Sequence, residues 1–502
     1  MQQQRRFLCQ ARLPGCRDTG ANSSARPNYV AISGESSFAP FLCADNIAKP
    51  HHFTLVLYVH QSPVTASPTD PLILNLNEEL VAKDGQSFDH FGSTLDTDMK
   101  NGLIIVGSPA ANTFGITDSG AASIFKEVNG TFHHLFRIQA NDLAEHSNFG
   151  AVTAISDTVA AITSHTEGNG TAVYVFGQIS GTTLWDQQAK LSEDALISSA
   201  NGNGFGVSID LLGNSLLLVG ADHYHSTGPN CGAVFIYERV YYSWFKIQTL
   251  TPSSCTANAH FGRSVKFDRE TGDRLIVGSI GDSSTTGSAH IYMYNASDTK
   301  WYLEADIFAT DGEPGDAFGV SVALNANRAI VGANQDDTDF GGVSVGSAYM
   351  FLLGNETGWE QEAKLGNSDG MGGDGFGTQV AIHRNTAIVS APADDISDIE
   401  QDTRGSVYFY GLLDDEDDES HDWLQIKKLS GSNENATLGS SIALYEDTVF
   451  VGAPREFVDG SKEQGLVYVY EIVRTRISCL LVAPYVDPLN DDFFLRRLAE
   501  ES

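Results

Sequence analysis

Basic residues are scarce in this sequence. Lys and Arg number 30 against 64 Asp and Glu, a formal charge of −34. A surface of that sign repels phosphate backbones and anionic membrane, which excludes duplex DNA or RNA as the expected ligand and favours cations or basic partners. Acidity of this kind also serves solubility alone. Cysteine is sparse too. Cys9, Cys16, Cys43, Cys231, Cys255 and Cys479 are too few across 502 residues to scaffold the fold, and no spacing among them resembles a zinc site. Only Cys231 and Cys255 lie near each other in the central part of the chain. A bridge in a secreted protein and two buried free thiols both fit that pair. Long apolar runs are missing: residues 53–59 and 477–486 fall far short of the ~18–20 residues that a bilayer span needs, so no direct membrane span is expected. The first 17 residues hold four Arg and no acid, without the apolar core of a secretory signal. A start upstream, another export route and an organelle transit peptide all stay open.

What the sequence has in quantity is glycine, 49 residues of it, and a repeat. A Phe-Gly pair recurs at Phe91-Gly92, Phe149-Gly150, Phe205-Gly206, Phe261-Gly262, Phe318-Gly319 and Phe376-Gly377, with Leu438-Gly439 as a degenerate seventh copy. The steps run from 56 to 62 residues, and seven phased copies are not chance. Each pair opens a short alternating strand such as Val320-Ser321-Val322-Ala323-Leu324. A second strand ends in Val-Gly-Ala or a close variant, as in Val331-Gly332-Ala333, Val389-Ser390-Ala391-Pro392 and Val451-Gly452-Ala453-Pro454. A polar loop ending in Gly leads to an aromatic third strand, as in Ala172-Val173-Tyr174-Val175-Phe176. The fourth begins at Trp185, Trp244, Trp301, Trp359 or Trp423, which are all the tryptophans, and commonly ends in Lys-Leu, as at Lys190, Lys364 and Lys428.

Four short strands divided by glycine-rich turns make one antiparallel sheet, and seven such sheets packed radially bury both faces of each. The expected fold is therefore all-β: a seven-bladed β-propeller of four-stranded antiparallel blades. In it the Phe fills the gap between blades, the Gly lets backbones approach, and the Trp covers the outer blade. Tight third-to-fourth hairpins and longer, irregular fourth-to-first stretches make each Phe-Gly the start of a blade. Blade 7 then lacks an outer strand. Leu72–Leu80, with Leu72, Leu74 and Leu76 alternating, is expected to supply it and close the ring from the N-terminal side. Residues 477–482 are the competing strand. The expected division is a tail at 1–70, disordered or targeting, a propeller at 71–475 and a tail at 476–502.

The succession of Phe-Gly, strand and Val-Gly-Ala-Pro resembles the FG-GAP repeats of the integrin α-subunit propeller. The stretch 359–410 is still more similar to an FG-GAP family of bacteria and microbial eukaryotes, through Lys364-Leu365, Asp369-Gly370, Asp374, Phe376-Gly377, Val389-Ser390-Ala391-Pro392 and Gly405-Ser406-Val407-Tyr408. The resemblance covers roughly residues 72–475, and Leu74-Asn75-Leu76-Asn77 resembles the start of mature integrin α chains. It implies adhesion through one face of the propeller, and Ca²⁺ cages in the first-to-second-strand loops. Here those loops depart from the ligand pattern that a hard cation needs. Residues 96–102 and 268–273 are the nearest remnants, and neither has the full set. Acid clusters elsewhere, after the Gly-Ala strands, in Asp336, Asp337 and Asp339 and in Asp394, Asp395 and Asp398. Ca²⁺ in one of these two loops and a solvated loop are the two expectations there. The run 414–422 is a further acidic segment.

His223 and His225 bracket Tyr224 and point together in an extended segment, but no third metal ligand is visible nearby. No Gly-x-Ser-x-Gly, P-loop, His-Glu-x-x-His or dinucleotide fingerprint occurs. Sequons lie at Asn22, Asn129, Asn169, Asn295, Asn355 and Asn435, and Asn129, Asn295 and Asn355 all fall at third-to-fourth-strand hairpins, exposed edges suited to glycans. The expected function is an extracellular or cell-surface binding or adhesion scaffold for a protein or glycan partner, and not an enzyme. An active site assembled at the propeller axis, or a purely structural propeller in a larger assembly, are the alternatives.

Overall fold

Alternation of apolar and polar residues over five to nine positions, broken by Gly and Asn, dictates short strands joined end to end. The computed structural model describes residues 6–9, 30–33 and 72–474, apart from 167–169, 194–202, 227, 253–256, 283–285, 338–343, 356, 396–402 and 415–420. Its contacts divide the chain into Leu72–Val473 and a second unit made of Met1–Pro71 with Arg474–Ser502. In the second unit Arg6–Cys9 pairs antiparallel with Val30–Ser33. The competing closing strand at 477–482 lies outside the described residues.

Leu72–Val473 forms seven four-stranded sheets, each antiparallel between neighbours. Blade 5 shows the plan: Phe318–Asn325 lies innermost, followed outwards by Arg328–Ala333, Ser347–Gly354 and Gly358–Leu365. Blades 1 to 6 are each continuous in sequence. Blade 7 takes Ser441–Tyr445, Thr448–Ala453 and Leu466–Arg474, and Leu72–Leu80 completes it as the outer strand. The N-terminal strand therefore closes the ring. Because consecutive strands alternate in direction, first-to-second and third-to-fourth turns share one face of the propeller, termed here the hairpin face. Second-to-third loops and blade crossings share the other, the loop face.

The core lies between blades. Each of seven buried apolar clusters draws on two adjacent blades, for example Val173 and Val175 of blade 2 with Phe205, Leu217 and Phe235 of blade 3. The seven repeat residues Phe91, Phe149, Phe205, Phe261, Phe318, Phe376 and Leu438 are all buried at their centres. Five of the phenylalanines meet two third-strand rings each, as Phe318 meets Tyr349 at 5.4 Å and Phe351 at 6.0 Å. The Gly of Val-Gly-Ala faces the Gly of the next blade's Phe-Gly. A Cβ on Gly332 would stand 2.0 Å from the Gly377 carbonyl oxygen, a distance no side chain tolerates. The tryptophans lie on the outer strands, Trp359 half-buried and the other four buried.

Candidate functional site: the axis and the loop face

The innermost strands of all seven blades line an axial channel of about 810 Å³. Arg269, in the first-to-second turn of blade 4, reaches across it. Its Nη1 donates to the Thr97 carbonyl at 2.8 Å, and its Nη2 to Asp96 Oδ2 at 2.7 Å and Asp210 Oδ1 at 2.6 Å. Lys266 Nζ stands 3.4 Å from Asp210 and 3.9 Å from Asp96. Each carboxylate also accepts a backbone N–H of the next blade, Ile155 at 2.9 Å and Phe267 at 2.7 Å. Burial opposes charge on Asp96, yet Arg269 and Lys266 hold its carboxyl below the usual range. Arg269 is held charged in turn: burial works against it, and Asp210 and Asp96 overcome that. The network ties blades 1 to 4 together on the hairpin side of the channel. It joins the two loops whose sequences come nearest to calcium cages. Within them Asp98 Oδ2 accepts the Asp157 N–H at 2.6 Å, and Asp268 accepts the Glu270 N–H at 3.0 Å.

The acidic loops after the Gly-Ala strands lie on the loop face. Asp336 is buried, accepts the Tyr349 hydroxyl at 2.7 Å and meets Lys364 Nζ at 2.9 Å. Asp394 repeats this in blade 6, with Tyr408 at 3.3 Å and Lys428 Nζ at 2.7 Å. Asp311 and Asp369 supply the second carboxylate to each lysine, at 2.6 and 2.8 Å. A lysine ammonium stands where a cation would neutralise these carboxylates, and each lies about 5 Å above the tyrosine ring. Burial works against charge on Lys364 and Lys428, but the paired carboxylates raise both above the ordinary lysine range. Asp337 accepts the Ser344 N–H at 2.6 Å, and Asp395 shares an isolated bridge with Thr403. Asp339 and Asp398 lie outside the described residues, as do residues 415–420 of the acidic run. Sequence reading found these acids and the Lys-Leu motif separately; only the fold shows that they pair.

His223 and His225 part company. His225 Nε2 lies 3.2 Å from Asn230 Oδ1. His223 Nδ1 lies 2.8 Å from the buried Asp222 Oδ1, and its ring stands 4.8 Å edge-on from His260, at the crossing into blade 4. The hydrogen bond to Asp222 raises the His223 pKa, and burial lowers that of His260. Cys231, fully buried in the same loop, is disulfide-bonded; Cys255 lies outside the described residues. Asn129, Asn295 and Asn355 are all exposed at third-to-fourth hairpins.

Large rings also stand exposed on the loop face. Phe88 at the entry to blade 1 is 50% exposed, Phe114 in the blade 1 loop 86%, and Phe457 in the blade 7 loop 49%. Phe88 and Phe114 have φ of 69° and 52°. The left-handed region costs an ordinary side chain roughly 1–2 kcal/mol, and neither ring is buried in the core in return. The loops are nonetheless tied down: Phe88 N–H donates to the Lys462 carbonyl at 2.9 Å, and Thr113–Ile116 and Val458–Ser461 form small bridges.

A family model described as FG-GAP repeat matches residues 75–125, 244–292, 301–351 and 359–410. The chain carries FG-GAP repeats in a seven-bladed propeller. Three of the matched units begin at the outer-strand residues Trp244, Trp301 and Trp359 and run through three strands of the next blade. The first begins instead within Leu72–Leu80, so the FG-GAP unit treats the closing strand as an outer strand too. No curated protein matches the chain. Among solved structures, that of Saccharomyces cerevisiae Sqt1 is similar at a TM-score of 0.45 and 10% identity, covering 80% of this chain and 100% of that one. No helix among the described residues of this FG-GAP propeller is long and apolar enough to cross a membrane.

Proposed function

We propose that this FG-GAP propeller is an extracellular or cell-surface binding scaffold that recognises a protein or glycan partner through its loop face. The observation that carries the reading is the trio Phe88, Phe114 and Phe457. These rings are exposed on neighbouring loops of blades 7 and 1, and two of them sit on left-handed backbone where Asn or Gly would cost less. Exposed, preorganised aromatic rings are what interface anchors are made of. The FG-GAP fold is a general scaffold for binding, and its repeats are typical of extracellular proteins. The disulfide at Cys231 and the exposed sequons Asn129, Asn295 and Asn355 accord with an oxidising, glycosylating compartment.

The test is binding of the labelled chain to the surface of the cells that produce it. The triple variant Phe88→Asn, Phe114→Asn, Phe457→Ser should bind at least about ten-fold more weakly, the loss of roughly one hot-spot residue. Its unfolding midpoint should be unchanged or higher, because Asn suits left-handed backbone. Equal binding by the variant, or none by the native chain, would contradict the proposal.

A further inference from the structure

The junction of blades 3 and 4 carries, on the loop face, a constellation that the repeat does not require. Asp222 and His223 follow the Val219-Gly220-Ala221 strand end, and His260 precedes Phe261. One ligand atom from each of the three residues lies within 4.8 Å of the others. Asp222 is buried, the two histidines half-buried. His260 Nδ1 is buried without a hydrogen-bond partner among the described residues. A buried ring nitrogen left so costs stability unless something else satisfies it.

The other six junctions serve as internal controls. The position of Asp222 is occupied by Pro109, His165, Ile280, Asn334, Pro392 and Pro454, and that of His223 by Ala110, Thr166, Gly281, Gln335, Ala393 and Arg455. The residue before the repeat Phe or Leu is His90, Asn148, Gly204, Ala317, Gly375 or Thr437. Among the described residues, only the blade 3–4 junction sets three metal-ligating side chains against one another. His260 also holds a φ of 56°, a conformation shared by all seven equivalents and supplied by glycine in two of them. The fold asks for a turn there. It does not ask for imidazole.

The setting is preorganised. Three backbone hydrogen bonds lace the Asp222 loop to the segment bearing His260: Asn258 N–H to Pro229, His260 N–H to Asn230 and Phe261 N–H to Cys231, at 2.9 to 3.1 Å. A Cβ on Gly204 would come within 2.2 Å of Asp222 Oδ1, so the carboxylate occupies space that only glycine leaves. The two oxygens of Asp222 have different neighbours: Oδ1 lies 2.8 Å from His223 Nδ1, while Oδ2 lies 3.5 Å from Arg263 Nη1. Arg263 is thus placed to hold the second oxygen while the first binds a metal.

We propose that Asp222, His223 and His260 form a site for a divalent transition-metal ion of the Zn²⁺ class. Two imidazoles and one carboxylate suit Zn²⁺ and its neighbours, whereas Ca²⁺ and Mg²⁺ take oxygen ligands. Metal–ligand bonds of about 2.0–2.1 Å put tetrahedral ligand atoms about 3.3 Å apart. Side-chain rotation by roughly 1–1.5 Å assembles the set from the observed spacing. Three protein ligands leave a fourth position open to water or to a group from outside. The bound ion joins the loop of blade 3 to the crossing into blade 4, so it acts as a clamp on one junction of the ring.

The full chain, stripped with chelator, is titrated with Co²⁺ as a spectroscopic probe and with Zn²⁺ in calorimetry. The native protein and His225→Ala should each bind one equivalent of Zn²⁺ with histidine-type Co²⁺ absorption and a raised unfolding midpoint. His223→Ala, Asp222→Asn and His260→Asn should each weaken binding by at least about ten-fold, since each removes a ligand outright. His260→Asn reproduces the residue that blade 2 carries as Asn148 in the same backbone conformation, so it retains the fold. Failure of the native chain to bind, or binding by His260→Asn and His223→Ala equal to native, would overturn the site. Loss in His225→Ala alone would assign the metal to other histidines and overturn it as well.

Discussion

Asp374 shows how a single residue can carry a charge at a cost. It lies two residues before Phe376, buried, and its Oδ2 accepts the Met371 N–H at 2.7 Å. Burial pushes its carboxyl up to about 6 from an ordinary 3.8; the Met371 hydrogen bond opposes this, and Asp394 and Asp395 add to it. Between these two values the native state keeps a proton that the unfolded chain has lost. Stability on this account is fully present below about pH 4 and falls as pH rises through about 6. Asp374→Asn, which resembles Asn203 at the same step, should flatten that part of the curve. The unfolding midpoint followed from pH 4 to 7 checks it: the native minus variant difference should become more negative as pH rises across the window, and a constant difference would refute it. Residues of this kind were half legible. The motif Asp374-Gly375-Phe376-Gly377 is plain in sequence, but the burial that perturbs it is a property of the packed crossing. His260 was illegible for another reason: it meets His223 only because blades 3 and 4 are neighbours, and local spacing cannot show that.

At the scale of strands, the ring is locked by a contact that repeats with the period but escapes a search for identical residues. The third residue after the repeat Phe or Leu is a hydroxyl in five blades. Thr94, Ser208, Ser264, Ser321 and Ser441 each donate to the glycine carbonyl of the following blade's Phe-Gly, at 2.7 to 2.9 Å. Blade 2 has Val152 there and uses Thr163 of its second strand instead, at 2.8 Å. Blade 6 has Gln379, and Ser390 replaces the usual Gly of its second strand. The two pair with each other, Gln379 N–H donating to Ser390 Oγ at 3.1 Å. The next blade carries Leu438 for Phe, and its Gly439 has Ser390 Cβ 3.0 Å from an idealised Cβ position. Three departures from the repeat thus occur at one interface and fit one another. Gly332→Ala should therefore cost at least about 1–3 kcal/mol, because its methyl meets a backbone oxygen, whereas Ser390→Ala should cost under about 1.5 kcal/mol. Denaturant midpoints of the two variants decide this; equal losses would show that the close approach is not what fixes Gly332. The Phe-Gly, Gly-Ala and Trp positions were legible because most blades carry the same side chain there. The hydroxyl was not, because Ser, Thr and a residue from another strand all satisfy one carbonyl.

For the propeller as a whole, seven interfaces each bury a core, and opening the ring at any one of them exposes that core. The break in chain continuity falls inside blade 7, where Leu72–Leu80 pairs beside Leu466–Arg474. Leu74 packs against the blade 6–7 cluster, and Leu80 is buried in the blade 7–1 cluster. The alternation of Leu72, Leu74 and Leu76 makes this strand readable in the sequence, since a half-buried strand preceding the first Phe-Gly has one vacant edge to fill. Amide hydrogen exchange on the intact protein measures this directly. If Leu72–Leu80 closes the ring, its amides and those of Leu466–Arg474 should be protected as strongly as the outer and third strands of blade 5. Exchange of residues 72–80 at the rate of a free chain, with blade 5 still protected, would contradict the closed ring.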